Sequence, residues 1–157
     1  MSLRVKELLV TACLIAFIFA VSRQNNYIDT DVDTIFDSVS KEIEIDSMEK
    51  FDFSRFKKDF GLNYNDYEGV IYYGHESVMN SETLLIIKVS DSSQGKEIIN
   101  IISDQNESSK EMFKSYAPDQ YELLSNSVLE QKGNYILYVV SENAKYAKKA
   151  FIDCITG

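Results

Sequence analysis

The sequence contains little of what most enzyme and metal sites are built from. It has one histidine, His75, together with two cysteines, one proline and no tryptophan in 157 residues. A single histidine excludes multi-histidine zinc sites, and any Ser-His-Asp or Cys-His arrangement would have to be built around His75. The glycine-rich phosphate-binding patterns GxGxxG and GxxxxGK[ST] are also missing from the sequence. We therefore predict no catalytic residues, no metal site and no cofactor.

Basic residues are scarce too. The chain has 16 Lys+Arg against 25 Asp+Glu, which gives a formal net charge of −9. Nucleic-acid binding depends on a basic footprint, so nucleic acid is not an expected partner. The same charge repels an anionic membrane surface, so contact with lipid is expected only through the N-terminal segment. Cys13 lies in an apolar run and Cys154 lies close to the C-terminus, so no disulfide is expected.

One long hydrophobic run is present, at the N-terminus. Leu8–Val21 reads LLVTACLIAFIFAV and follows the cations Arg4 and Lys6, which is typical of an export signal. The positive-inside rule places the N-terminus inside and the acidic body outside. Three outcomes remain open: cleavage after Ser22, retention as a signal anchor, and lipidation of Cys13 in a lipobox-like VTAC sequence. We expect a single-pass protein of the cell membrane with its C-terminal domain outside, the alternatives being a secreted or a lipid-anchored protein.

After the signal or anchor over residues 1–22, the chain divides into a linker over residues 23–31 and a single domain over residues 32–157. Helices are predicted to begin at Asp31 or Asp33, at Ser54, near Ser93, at Pro118 and near Asn143. The long third helix is predicted to turn inward Ile98, Ile101, Ile102, Met112, Phe113 and Tyr116, with a weak point over residues 106–109. Strands are predicted over 69–73, 83–89, 128–131 and 135–141, the second of them central, and the last two joined by a Gly133-Asn134 turn. This order predicts an α+β domain with a small antiparallel sheet of about four strands covered by helices.

The first predicted strand ends among residues that suit ligand binding. Tyr72, Tyr73 and His75 follow one another closely, and tyrosine rings offer flat contact area to a sugar or a peptide. Alternation along a strand sends Tyr72 and Tyr73 to opposite faces of the sheet, so at least one of them is expected in the core. His75 is then either a structural loop residue or a ligand-binding residue.

The order of features resembles a bacterial family called domain of unknown function 4358, which consists of exported proteins of Gram-positive bacteria. The resemblance runs over residues 48–151 and rests on Phe60-Gly61-Leu62, on Ser81-Glu82 before LLIIKVSD, on FKSYAP from Phe113 to Pro118 with Gln120, and on Gly133-Asn134-Tyr135. It implies a small extracytoplasmic domain behind a lipoprotein signal or a transmembrane segment, and it implies no activity. Glu82 is the position in this pattern without an obvious structural explanation. It either orients a loop or binds a ligand, and it joins Tyr72, Tyr73 and His75 as a candidate ligand-binding residue.

Three hypotheses about function follow. The first is a non-catalytic binding or interaction module of the cell envelope, whose partner is an envelope protein or ligand. The second is an enzyme acting on envelope material, with Glu82, His75 and either Asp66 or Glu76 as acid and base. The third is a structural subunit of a larger membrane complex.

Overall fold

The computed structural model describes residues 10–16 and 27–157. Residues 10–16 are helical, and Cys13 is an exposed free cysteine among them. Three predicted features lie outside the described residues: the rest of the signal segment Leu8–Val21, the cleavage position after Ser22 and the first part of the linker. Within the described ranges, no helix is both long enough and apolar enough to cross a membrane.

One antiparallel sheet of five strands forms the centre of the domain. Its strands are β1 (Glu49–Lys50), β2 (Gly69–Gly74), β3 (Thr83–Lys88), β4 (Val128–Lys132) and β5 (Tyr135–Val140). They lie side by side in the order β1-β2-β3-β5-β4. The additional strand relative to the sequence prediction is β1, which pairs with the end of β2 through Glu49–Gly74 and Lys50–Tyr73. Two residues are too few to show an alternating pattern, so this strand has no sequence signature.

The middle strands β3 and β5 are buried on both faces. β3 pairs with β2 on one side and with β5 on the other. Its residues from Leu84 to Ile87 have no solvent exposure. Alternate side chains of a strand point to opposite faces, so a continuous apolar run requires cover on both sides. The prediction that this run forms a central strand is confirmed.

Helices cover both faces of the sheet and complete three layers. They are α1 (Val32–Val39), α2 (Phe53–Phe60), α3 (Gly95–Phe113), α4 (Pro118–Ser125) and α5 (Ala144–Thr156). One face is covered by α1 and α5, with Ile35 and Phe151 fully buried there. The other is covered by α2, α3 and α4, with Phe56 and Ile102 fully buried. The predicted α+β fold with an antiparallel sheet under helices is confirmed.

The helix ends follow expected chemistry with one correction. The Asp31 carboxylate caps α1 by accepting a hydrogen bond from the Thr34 N–H at 2.7 Å. Asp52 caps α2 in the same way, whereas the sequence predicted Ser54, which lies inside the first turn. Gly61 ends α2 with a φ of 70°, a left-handed conformation that glycine adopts without the steric cost of a Cβ.

The long helix α3 differs from its prediction in two respects. It runs unbroken across residues 106–109, where a weak point was expected. Ile102 and Phe113 are buried as predicted, but Met112 and Tyr116 are 56% and 55% exposed rather than inward. Phe113 takes the inward position of the last turn, and its neighbour Met112 is therefore turned about 100° away around the helix.

The described part of the predicted linker, residues 27–31, lies against the domain, and we call it the strap. The Thr30 N–H donates to the Tyr135 hydroxyl at 2.7 Å, and this hydroxyl donates to the Thr30 carbonyl at 2.8 Å. The Tyr27 ring packs edge-on against the Tyr135 ring, with 6.0 Å between centroids. The Ile28 N–H donates to a backbone carbonyl of α5 at 2.7 Å. The strap is therefore held by hydrogen bonds and by ring packing.

The strap and the loop over residues 75–82 lie at opposite ends of the sheet. Lys88 pairs with Tyr135 at one end of β3, and Thr83 pairs with Val140 at the other. An antiparallel strand rises about 3.4 Å per residue, so these two ends are about 17 Å apart. The strap contacts the first end, and the loop that joins β2 to β3 extends from the second.

Candidate functional site

A cleft of about 320 Å³ opens where the loop over residues 75–82 meets α2 and the second half of α3. The loop is placed there because β2 ends at Gly74 and β3 begins at Thr83. The charged and titratable side chains of the lining are Arg55, Lys58, Asp59, Tyr72, His75, Glu82 and Tyr138. Uncharged polar side chains and apolar side chains complete the lining, the latter including Phe51, Phe60, Val78 and Met112.

A histidine–carboxylate pair closes the stem of the loop. Nε2 of His75 lies 3.2 Å from Oε2 of Glu82, a hydrogen bond when that nitrogen carries the proton and an ion pair when the ring is protonated. The Asn80 amide donates to the same oxygen at 3.3 Å. The His75 and Glu82 side chains are 18% and 21% exposed, so both remain reachable from the cleft. The pair can hold the loop and can also exchange a proton or a hydrogen bond with a bound molecule.

Further hydrogen bonds fix the loop to the body of the domain. The Glu82 N–H donates to the side-chain oxygen of Asn80 at 2.8 Å. The backbone N–H and the hydroxyl of Ser81 both donate to Oε1 of Gln120, at 2.7 and 2.9 Å, and Gln120 belongs to α4. The position of Glu82 is thus set by both strand β3 and helix α4.

A second charged group lies on the α2 side of the cleft. Arg55 Nε and the Tyr72 hydroxyl both donate to Oδ2 of Asp59, at 2.6 and 2.7 Å. Burial raises the pKa of Tyr72 strongly, and the hydrogen bond to Asp59 raises it further. The hydrogen bond to Asp59 also raises the pKa of Arg55. The Arg55 guanidinium lies over the Phe51 ring at 4.6 Å, a cation–π contact that restricts it further.

Apolar side chains stand at the rim of this polar cleft. Val78 on the loop is 80% exposed, and Met112 on α3 is 56% exposed. Both line the cleft, and Met79 beside Val78 is exposed as well. Apolar groups beside fixed polar groups are typical of sites that bind amphiphilic ligands.

The structure brings three of the four candidate ligand-binding residues together. Tyr72, His75 and Glu82 line the cleft, whereas Tyr73 does not. Tyr73 points to the other face of the sheet, where its ring stacks on Phe36 with 4.9 Å between centroids. The predicted separation of the two tyrosines is therefore present, and Tyr72 is the one beside the cleft. Cys13, the candidate lipidation residue, lies in the described helical residues 10–16 and does not line the cleft.

Sequence reasoning missed Arg55 and Asp59. Their spacing of four residues on a helix is a signal for an ion pair, and the structure forms that pair. Nothing in the spacing indicates that the pair continues to Tyr72, because that contact depends on how α2 packs against the sheet. The contact between His75 and Glu82 also depends on the path of an irregular loop.

Other features of the described residues are less suited to a specific site. Among these residues, no group of three or more histidine, cysteine, aspartate and glutamate side chains is placed to hold a metal ion. A second hollow of about 580 Å³ is larger than the cleft, and its lining includes Asp119, Glu122 and Glu142. Its lining contains no aromatic ring. The smaller cleft therefore offers the greater chemical variety, and we take it as the candidate site.

Comparison with known proteins shows that one family model spans the residues of this cleft. A family model described as Domain of unknown function (DUF4358) matches residues 41–141. This range includes all three candidate residues of the cleft as well as Arg55 and Asp59. No curated protein and no solved structure matches the chain. Since the family model covers more than half of the chain, this protein belongs to the DUF4358 family, as the sequence resemblance predicted.

Proposed function

We propose that the domain is a non-catalytic binding module of the cell envelope, whose ligand or partner enters the cleft. The observation that carries this proposal is the convergence of one ion pair, one histidine–carboxylate pair and two exposed apolar side chains on one cleft. The pairs are Arg55–Asp59 and His75–Glu82, and the apolar side chains are those of Val78 and Met112. Ligand sites combine apolar surface with a few oriented polar groups in this way.

We further propose that the N-terminal segment holds the domain at the outer face of the cell membrane. The apolar run and its preceding cations support this placement. Such a tether would also orient the domain, because residues 27–31 leave the domain at the end of the sheet opposite the cleft. A membrane-tethered domain would then present the cleft away from the lipid surface, where an envelope component can reach it.

Site-specific photocrosslinking in the native host tests the binding proposal. A photoreactive benzoyl-phenylalanine at Val78 is expected to capture a discrete partner, whereas the same group at Tyr146, exposed on α5, is not. Ser109→Trp, which fills the cleft, is expected to abolish the product, and Ser108→Trp on the exposed side of the same helix is expected to retain it. A product that is insensitive to Ser109→Trp, or an equal yield from Tyr146, would contradict a role for the cleft.

An enzyme acting on envelope material is the second candidate function. The observation that favours it is the contact of 3.2 Å between His75 Nε2 and Glu82 Oε2, since a histidine and a carboxylate at this distance can act together in general acid–base catalysis. His75→Ala and Glu82→Gln in a deletion strain separate the two functions. Full complementation by both variants would remove the enzyme hypothesis, whereas loss of complementation with retained crosslinking at Val78 would favour it.

A further inference from the structure

We infer that the cleft selects ligands that carry a carboxylate, and that Arg55 is the residue that binds this group. The inference rests on the proposed binding function and assigns a ligand class to the same cleft. It starts from the way in which Arg55 is held. Its side chain lies between the Asp59 carboxylate and the Phe51 ring and is 33% exposed at the cleft.

Most of the hydrogen-bonding capacity of Arg55 is unused. A guanidinium has five N–H donors in one plane, and only the Nε donor has a hydrogen-bond partner among the described residues, namely Asp59. The remaining donors belong to the two terminal nitrogens, which form the fork that binds carboxylates in bidentate fashion. Asp59, by contrast, already accepts from both Arg55 and Tyr72, and Glu82 accepts from Asn80 and lies 3.2 Å from Nε2 of His75. The cleft therefore has a fixed guanidinium with unused donors.

The charged side chains of the cleft balance in number, but its cations are the groups with unused hydrogen-bond donors. Arg55 and Lys58 stand against the carboxylates of Asp59 and Glu82 in the lining, and both carboxylates already accept hydrogen bonds within the domain. Lys58 lines the cleft and has no ion pair within the described part of the chain. Lys57 and Lys58 also suit the negative end of the helix dipole, whereas Arg55 lies in the first turn of α2, where the dipole disfavours a cation and the ion pair with Asp59 holds it.

A carboxylate fits this setting better than a phosphate. Asp59 and Glu82 face the same cleft, and their charges would repel a doubly charged group more than a singly charged one. The volume of about 320 Å³ is at the lower end of the range of ligand pockets. Val78 and Met112 can contact an apolar substituent next to the carboxylate. The shared chemistry is an apolar carboxylic acid, supplied either as the C-terminus of a peptide or as a small free acid.

Methyl NMR of the full chain in a mild detergent tests the inference, with Met112 and Val78 as reporters. The probes are acetyl-Ala-Leu with a free carboxylate, the same dipeptide as its amide, and hexanoate. The wild type is expected to bind the free acid at least about tenfold more tightly than the amide, as a charge-assisted bidentate contact requires. Tight binding of the dipeptide acid with weak binding of hexanoate would identify a peptide C-terminus, and the reverse order would identify a small acid.

Three variants connect this preference to the guanidinium. Arg55→Gln is expected to bring binding of the acid down to that of the amide, and Arg55→Lys to lose most of the preference because it keeps the charge but not the fork. Lys57→Gln removes the same charge from the same helix outside the cleft and is expected to stay within about twofold of the wild type. Equal binding of acid and amide, an equal loss in Lys57→Gln, or no binding of any acid would overturn the inference. Crosslinking from Val78 that survives Arg55→Gln would leave the binding function standing while the ligand class fails.

Discussion

Tyr72 connects the hydrophobic core to the cleft. Its ring contacts Phe51, Phe56 and Phe60, with centroid distances of 5.0, 6.3 and 5.4 Å. Its hydroxyl reaches Asp59, which in turn holds Arg55. Edge-to-face aromatic contacts fix the ring, so the hydroxyl offers a rigid donor to the carboxylate. A change at this one side chain therefore acts on core stability and on the position of Arg55 together.

Tyr72→Phe is expected to change how stability depends on pH. Burial raises the pKa of Tyr72 in the folded state, so its stabilising contribution is complete below the unfolded pKa of about 10 and is lost as pH rises above it. At about pH 11 this loss amounts to about 1.4 kcal/mol for each strongly shifted tyrosine. At neutral pH the variant should have a free energy of unfolding about 1 kcal/mol lower than the wild type, because it lacks one hydrogen bond. Between neutral and alkaline pH its free energy of unfolding should then fall less than that of the wild type.

Urea unfolding at about pH 8 and about pH 11 measures this difference. Tyr146→Phe is the matched control, because Tyr146 is exposed on α5 and its hydroxyl has no hydrogen-bond partner within residues 27–157. Burial also raises the pKa of Tyr138, so part of the alkaline decline should persist in Tyr72→Phe. If the variant and the wild type decline in parallel, Tyr72 does not titrate as argued.

At the level of single residues, the sequence predicted the residues whose roles follow from local backbone geometry. It missed the side-chain contacts that depend on packing. Gly61 and Pro118 are at a helix end and a helix start because the backbone requirement is local. The pairing of His75 with Glu82 spans a loop with no periodic pattern, and the contact of Tyr72 with Asp59 spans two elements. Contacts of this kind are set by the tertiary structure.

Among the elements, the strap is a connection held to the domain largely through one buried hydroxyl. The Tyr135 side chain is fully buried, and its hydroxyl both accepts from and donates to the backbone of Thr30. The ion pair between Asp29 and Lys88 adds little, because Asp29 is 85% exposed and exposed pairs contribute weakly. The hydroxyl of Tyr135 is thus the main polar anchor of the strap.

Tyr135→Phe is expected to release the strap while the sheet persists. The change removes the hydroxyl that accepts the hydrogen bond of the Thr30 N–H. Amide exchange at Thr30 should therefore become about tenfold faster or more, which corresponds to an opening free energy lower by about 1.4 kcal/mol. Tyr138→Phe is the matched control on the same strand, since its hydroxyl contacts Asn106 on the opposite face at 3.0 Å. Hydrogen exchange by NMR separates the two variants. An equal rise at Thr30 in both would mean that the strap responds to general destabilisation only.

The elements that the sequence predicted best are those with long, one-sided patterns. The β4–β5 hairpin has the predicted two-residue turn, with a φ of 56° at Gly133. β1 was missed because two residues carry no period. The buried face of α3 was predicted only in part, because its last turn has more apolar residues than inward positions. Only the packed structure shows that Phe113 is the buried one.

For the whole molecule, the two ends of the sheet have different roles in the proposed function. The strap leaves from the end that carries the β4–β5 turn, and the cleft opens at the other end, about 17 Å along the strands. The net negative charge would repel the domain from anionic lipid, so the domain would not lie flat on the membrane surface. An N-terminal tether together with this repulsion would orient the cleft outward.

Energy transfer to labelled lipid tests this orientation in the full chain inserted in anionic liposomes. Donors are attached at Val78→Cys, at the cleft, and at Ser92→Cys, an exposed position at the strap end, each with Cys13 and Cys154 replaced by serine. The Ser92 position is expected to transfer more energy because it lies at the tethered end of the sheet, and the two ends of the sheet are about 17 Å apart along β3. The chain without residues 1–22 should transfer from neither position. Equal transfer from both positions in the tethered chain would mean that the domain tumbles freely, and stronger transfer from Val78 would mean that the cleft faces the membrane.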